Sequence, residues 1–203
     1  MRGFKTEGII LKRKNFGEAD RILTVFTLLK GKISIIAKGV RRVTSRRSGN
    51  VELLNRVSMY LYQAKGMPVL TEAESLQNFE KLKQDLTLSA VAFHIIELVD
   101  KLLAENQEDR ILYFNLSEVL KRLERNPRQI LIRAFEVKIL SHLGFMGFEG
   151  KEILEKLEKY PWDEIENLKI NQKQAMELER VLRYHLERVI EGTLKSRKFL
   201  GKI

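Results

Sequence analysis

The chain has 203 residues, 44% of them hydrophobic, so it can bury one large core or two small ones. It has no cysteine, which excludes disulfides and thiolate metal sites, and no apolar run of the ~20 residues that cross a membrane; both features favour a cytoplasmic protein. The net charge of +10 is uneven, because residues 1–78 hold 15 Lys or Arg and 6 Asp or Glu, whereas residues 79–203 hold 22 and 21. This asymmetry indicates a polyanionic partner for the N-terminal part.

The N-terminal part has the pattern of short β-strands. Runs rich in Ile, Val, Thr and aromatic residues are separated by glycine or proline. The segments RILTVFTL and GKISIIAK predict a hairpin with Gly31 in its turn, and NRVSMYLYQAK and VLTEAES predict two further strands. Together with GIILKR they make five strands. We therefore predict a five-stranded barrel of the oligonucleotide-binding type over residues 1–78.

After the barrel the apolar period becomes that of α-helices, which predicts an all-α domain over residues 79–203 and an α+β fold for the chain. Proline, glycine and asparagine mark the expected helix boundaries. We predict helices over about 80–104, from Glu108 to Asn126, from Pro127 (in the first turn) to Gly144, over KEILEKLEKY up to Pro161, and from Asn171 to Gly192.

Motifs of catalysis and cofactor binding are missing from the sequence. There is no glycine-rich phosphate-binding loop, and the three histidines fall on three different predicted helices. Most carboxylates lie three or four residues from a Lys or Arg, as on solvated helix faces. We therefore expect a binding protein rather than an enzyme, with no metal and no cofactor.

The strongest functional signal is a basic run after the third strand. From Lys30 to Arg47 there are seven Lys or Arg and no acidic residue. Arginine forks match phosphate oxygens, so phosphate binding is favoured over a merely solvated charge run. A second basic stretch, LKRKN, ends the first strand and would line the same groove. The candidate nucleic-acid-binding residues of the barrel are Lys12, Arg13, Lys14, Lys38, Arg41, Arg42, Arg46 and Arg47.

Two further features leave alternatives open. Tyr60 and Tyr62 share a face of the fourth strand, where they either stack on bases or, as we favour, pack against the protein; Phe26 is expected in the core. The C-terminal cations Lys195, Arg197 and Lys198 extend the nucleic-acid surface, bind an acidic peptide, or form a solvated tail.

Four stretches resemble the bacterial RecO family of DNA repair proteins: EGIILKRKNFGEADRILTVFT, GKISIIAKGVRR, LIRAFEVKILSHLGF and LKSRKFL. The resemblance implies a recombination mediator that binds single- and double-stranded DNA and anneals complementary strands. It also implies action with RecR and single-stranded-DNA-binding protein, and indirectly with RecA. Many family members carry a four-cysteine zinc site just after the segment matching LSHLGF. This chain has no cysteine there, so we expect no zinc module, and any RecR or DNA contact that depends on the module in other members is in doubt here.

A protein-binding site is expected in the helical domain. The family resemblance implies that it takes the acidic tail of single-stranded-DNA-binding protein, and Arg122, Arg125 and Arg128 form a local basic cluster suited to such a tail. The alternative from another class is a non-enzymatic helical adaptor whose basic barrel binds an anionic membrane surface or RNA. The membrane version is disfavoured because the cations lie in a loop between strands and not on an amphipathic helix.

Overall fold

The fold is taken from a computed structural model of the chain, which describes residues 3–63, 65–145, 147 and 151–190. Five strands precede seven helices in this part of the chain, so the predicted α+β fold is confirmed. The strands are β1 (Gly3–Phe16), β2 (Asp20–Thr27), β3 (Gly31–Ala37), β4 (Arg56–Tyr62) and β5 (Val69–Gln77). The helices are α1 (Glu80–Gln84), α2 (Leu86–Leu102), α3 (Arg110–Arg125), α4 (Gln129–His142), α5 (Glu152–Lys159), α6 (Trp162–Asn167) and α7 (Gln172–Ile190).

The five strands close into a barrel in the order β1-β2-β3-β5-β4. Neighbouring strands are antiparallel except for β3 and β5, which are parallel. Aliphatic side chains on the inner face form the core, as the alternation in the sequence predicts, and Leu23, Ile35 and Leu61 are completely buried there. The arrangement is that expected of a barrel of the oligonucleotide-binding type.

Gly31 begins β3 and meets two constraints at once. Its φ of +65° is a left-handed conformation that favours glycine, as the predicted hairpin turn requires. In addition, a Cβ at this position would lie 1.8 Å from the carbonyl oxygen of Gln107, in the connection between α2 and α3. The N–H of Asn106 in that connection donates to the carbonyl of Lys32 at 2.8 Å. The connection therefore packs directly on the start of β3.

The chain divides into two compact units. One comprises the residues up to Glu80 together with Leu103–Tyr113, and the other comprises Lys81–Leu102 and the residues from Phe114 onward. We call Leu103–Tyr113 the strap; the predicted division at residues 78 and 79 does not include it in the barrel. Tyr113 is fully buried with its ring 5.8 Å from that of Phe26, and burial, helped by the charge of Glu7, raises the pKa of its phenol. The strap thus completes the core of the barrel unit.

The helix boundaries differ from the prediction at three places. The predicted single helix over 80–104 is two helices, α1 and α2, because the Asp85 carboxylate accepts the N–H of Leu88 at 2.8 Å and caps α2. Pro127 precedes α4, whose N-cap is Arg128, and does not lie in its first turn. The short helix α6, directly after Pro161, was not predicted.

Other helix ends follow the sequence signals. The side chain of Asn171 accepts the N–H of Gln174 and the side chain of Gln174 accepts the N–H of Asn171, both at 2.9 Å, so α7 begins with a reciprocal capping box. Gly144 ends α4 in a left-handed conformation, with φ of +73°. The predicted end of the last helix at Gly192 lies outside the described residues. Within the described ranges, no helix combines the length and the apolarity needed to span a bilayer.

The core of the helical unit contains a buried charged cluster. The imidazole Nε2 of His94 on α2 lies 2.7 Å from a carboxylate oxygen of Glu136 on α4, and both side chains are about 1% exposed. Arg133 also binds Glu136, at 2.9 Å, and approaches Glu179 on α7 at 3.7 Å. Burial by itself would raise the pKa of Glu136, but the charge of Arg133 and the hydrogen bond with His94 lower it to about 2. The cluster joins three helices through one ionised carboxylate.

Candidate nucleic-acid interface

The basic loop, residues 38–55, connects β3 to β4 and is folded along its length. The N–H groups of Arg42 and Ser45 each donate to the carbonyl three residues earlier, at 3.2 and 2.9 Å, and further turns of this kind follow. Two of its apolar residues, Val40 and Val51, are completely buried in the barrel core. The loop is therefore a lid on the core rather than a flexible tether, and its backbone holds its cations in defined places.

Four cations of the basic loop are exposed on its outer side: Lys38, Arg41, Arg42 and Arg46. Three of them, Lys38, Arg42 and Arg46, line an open depression of about 610 Å³ together with the side chains of Thr44 and Ser45. Among the described lining residues Asp20 is the single acid, and its Oδ1 is occupied by the N–H of Gly39 at 2.7 Å. The depression presents positive charge and hydroxyl donors, which suits a phosphate oxygen.

Arg47 differs from the other arginines of the loop, because its guanidinium is bound by the protein itself. Its Nη1 donates to the carbonyls of Leu70 and Thr71 on β5, at 2.7 and 3.3 Å, and its Nη2 donates to the carbonyl of Lys38 at 2.9 Å. Arg47 therefore ties the middle of the basic loop to its first residue and to β5. Its role as a DNA contact stays a prediction.

The basic loop lies beside the turn between β1 and β2. Arg41 donates its N–H to the carbonyl of Ala19 at 2.9 Å and its guanidinium to the carbonyl of Gly17 at 3.3 Å. Alternate residues of a strand share a face, so Lys12, Lys14 and Phe16 on β1 point the same way, and all three are exposed. The exposed cations of β1 and those of the basic loop thus flank one turn of the barrel.

Arg13, predicted with its neighbours as a nucleic-acid contact, is placed differently. It points to the opposite side of β1 from Lys12 and Lys14 and forms an ion pair with Glu52 of the basic loop. Glu52 also pairs with Arg21 on β2, at 3.3 Å. Arg13 and Arg21 thus anchor the far end of the loop, and the carboxylate of Glu52 is neutralised by both.

Two exposed apolar side chains lie at this basic surface, and the sequence analysis did not single them out. Phe16, at the end of β1, is 50% exposed, and Val43, within the basic loop, is fully exposed. The sequence offered one signal for Phe16: this aromatic residue lies between the basic run LKRKN and a glycine that marks a turn, so it could be expected on the basic surface. Phe26, in contrast, is completely buried, as expected of a core residue.

The cations predicted to bind a partner lie on or beside α3, and the structure places carboxylates among them. Arg122 is almost buried and binds Glu118, Asp163 and Glu166 at 2.5–2.7 Å. Arg125 shares Glu166 at 2.8 Å but keeps 69% of its side chain exposed. Arg128 donates to the carbonyl of Leu168 at 3.1 Å; its role and those of its two neighbours in partner binding stay predictions.

The remaining predicted cations, Lys195, Arg197 and Lys198, lie outside the described residues.

Residues 1–79 match the family description "Recombination protein O N terminal", and residues 83–146 match "Recombination protein O C terminal". The chain belongs to the RecO family. The recognised resemblance is therefore confirmed, and the first match covers the barrel strands and the basic loop.

Individual RecO relatives agree with this assignment. A DNA repair protein RecO of Acetivibrio thermocellus is 36% identical over 148 residues, which covers 71% of this chain and 59% of the relative. One of Symbiobacterium thermophilum is 34% identical over 145 residues, covering 70% of this chain and 57% of the relative. A third, of Moorella thermoacetica, is 26% identical over 98% of this chain and 91% of the relative. The chain thus spans less than two thirds of the first two relatives.

The zinc site that many RecO proteins carry does not fit the residues of this chain. Its four thiolate ligands have no counterpart, because the sequence contains no cysteine. Among the described residues, no group of three or more His, Asp or Glu is arranged to hold a metal ion. After α4, the end of α5 is instead bound by Lys138 of α4, whose ammonium donates to the carbonyls of Glu158 and Tyr160 at 2.7 and 3.0 Å.

Proposed function

We propose that this chain is a non-catalytic recombination mediator in DNA repair. It binds single- and double-stranded DNA through the basic loop, anneals complementary strands, and acts with RecR and single-stranded-DNA-binding protein to help load RecA. Membership of the RecO family supports this role, because the relatives are named DNA repair proteins and the matching family descriptions name a recombination protein.

The observation that carries the proposal is the group of exposed cations on a folded loop of the barrel. Lys38, Arg41, Arg42 and Arg46 point outward while the nearby carboxylates of Asp20 and Glu52 are already bound. Folding brings these four like charges together, whereas the exposed carboxylate beside them is that of Glu18, between the two residues that Arg41 binds; a polyanion supplies the remaining compensation. Four neutralised phosphates correspond to a log–log salt slope of about −3 for a single strand.

The helical unit supplies the partner site in this proposal. Arg125 and Arg128 remain accessible enough to meet the acidic tail of single-stranded-DNA-binding protein, whereas Arg122 is held by three carboxylates. Charge at such a site speeds the encounter with an acidic peptide more than it deepens the affinity. Lys195, Arg197 and Lys198 are the other proposed contacts for DNA or for the tail.

The test compares two variants of the full chain with equal loss of charge. The loop variant changes Lys38, Arg41, Arg42 and Arg46 to alanine, and Arg47 is kept because it holds the loop in place. The control variant changes four exposed cations of the helical unit to alanine; they are Lys101, Lys121, Lys173 and Arg180. DNA affinity is measured by fluorescence anisotropy at several salt concentrations, and annealing is measured with chelator and without nucleotide.

We expect the loop variant to lose at least tenfold in DNA affinity, to show a shallower salt slope and to anneal poorly. The control variant should behave like the unchanged chain, and neither variant should melt much earlier, since exposed substitutions change stability by about ±0.5 kcal/mol each. Equal losses in both variants would mean that net charge, and not the basic loop, drives binding. A salt-independent affinity would contradict the phosphate interface altogether.

A further inference from the structure

Phe16 is an aromatic residue that does not belong to the core of the barrel. It is the last residue of β1, directly before the turn to β2, and half of its side chain is exposed. A single exposed aromatic residue is ordinary on a protein surface, so exposure alone assigns it no role. Its position among the cations of the barrel is the observation that matters.

The neighbours of Phe16 are positive on two sides. Lys12 and Lys14 precede it on the same face of β1, and alternate residues of a strand are about 6.8 Å apart. On the other side, the guanidinium of Arg41 reaches the carbonyl of Gly17, the residue that follows Phe16. Two acidic residues are also near: Asp20, its register partner on β2, whose Oδ1 accepts the N–H of Gly39, and the exposed Glu18 in the turn that follows it.

We propose that Phe16 stacks on an unpaired base of a DNA strand whose phosphates lie on Lys14 and the basic loop. Cations neutralise the phosphates of single strands and of duplexes alike, whereas an aromatic ring can stack only on a base whose face is free. Phe16 therefore gives this surface a preference for single-stranded DNA. The inference rests on the proposed DNA binding and adds to it the residue that distinguishes unpaired from paired bases.

Tyr60 is one of the two strand tyrosines considered for stacking from the sequence, and its surroundings differ from those of Phe16. Its ring covers the backbone of Gly3, because a Cβ built there would lie 2.4 Å from the ring carbon Cε1. Its cross-strand partners are Lys5 on β1 and Glu72 on β5. Tyr60 is 40% exposed, a fraction similar to the 50% of Phe16, and is therefore a matched control.

The experiment measures the affinity of the full chain for three DNAs of equal length. They are a single strand, the corresponding duplex, and a single strand of abasic sites. Phe16→Ala should weaken binding to the single strand by roughly 5- to 150-fold, the range found for the loss of one stacked base, and leave duplex and abasic binding unchanged. Phe16→Tyr should restore the preference, and Tyr60→Ala should have no effect on it.

A spectroscopic test reports on stacking directly. Trp162 is the single tryptophan of the chain and lies on α6, in the helical unit, so Phe16→Trp adds one fluorophore to the barrel. Titration of the unchanged chain gives the contribution of Trp162, which is subtracted. We expect the single strand to quench the added emission, and the duplex and the abasic strand to leave it unchanged.

The outcomes separate this inference from the proposed function. In one outcome, Phe16→Ala binds each of the three DNAs with the same affinity as the unchanged chain, while the loop variant loses affinity. In that case Phe16 does not stack and the phosphate interface stands. If the loop variant also binds normally, both the interface and the stacking role fail. Equal quenching of Phe16→Trp by single strand and duplex would likewise overturn the role.

Discussion

Replacing Gly31 by alanine tests whether the strap is packed against the barrel as described. The added methyl group meets two penalties. A left-handed conformation costs about 1–2 kcal/mol for a residue with a Cβ. The Cβ would also lie 1.8 Å from the Gln107 carbonyl oxygen, so the strap must move and the hydrogen bond from Asn106 to Lys32 is endangered, which adds about 0.5–1.5 kcal/mol. We expect a total loss of about 2–3 kcal/mol.

Gly17 offers a matched control for this substitution. It has a similar φ of +55°, and a Cβ there would meet nothing within 4 Å, so Gly17→Ala carries only the conformational penalty. The excess loss of Gly31→Ala, about 1 kcal/mol, corresponds to a melting temperature roughly 2–4 °C below that of Gly17→Ala. Circular dichroism gives the melting temperatures, and hydrogen exchange should show faster exchange in residues 103–113. Equal melting temperatures with unchanged exchange in the strap would refute the packing.

Three further predictions concern the charged side chains of both units. The pKa of Glu136 is lowered to about 2 in the folded chain, so its ionisation contributes about 3 kcal/mol to the free energy of unfolding at pH above ~4.5, and this contribution is lost as the pH falls toward 2. The difference in unfolding free energy between the unchanged chain and Glu136→Gln, measured with urea, should therefore shrink over that pH range. A difference that stays constant with pH would contradict this. Arg47→Lys keeps the charge but not the three-carbonyl contact, so trypsin should cut the basic loop faster than in the unchanged chain; equal cleavage would refute the tie. Arg125→Glu with Arg128→Glu should weaken binding of a labelled acidic tail peptide at least fivefold, and unchanged binding would place the site elsewhere.

The strands were predictable because their signal is local. Alternation of apolar and polar residues within each run decides which side chains face the core, and the glycine at position 31 indicates the hairpin turn. The break between α1 and α2 was missed although Asp85 is a good N-cap, because the apolar period continues across it. A capping residue and a mid-helix aspartate look alike when the period on both sides agrees.

Non-local contacts explain the other differences. Nothing near the strap indicates that Tyr113 will pack on Phe26, a residue far earlier in the chain. Likewise, Arg122 belongs to a basic cluster in the sequence, yet the acids Asp163 and Glu166 return to it from α6 in the folded chain. Counting charges along the sequence finds a basic surface only where no such partner returns, as at the outer side of the basic loop.

The burial of Val40 and Val51 limits how the basic loop can change over evolutionary time. Surface loops usually accept insertions and deletions. Here both flanks of the exposed segment are anchored, and withdrawing either valine from the core would cost about 1.5–3 kcal/mol. Substitution of an exposed cation such as Arg42 changes stability far less. Selection can therefore adjust the charge of this surface residue by residue, whereas a change of loop length is tolerated only if it leaves both valines in the core.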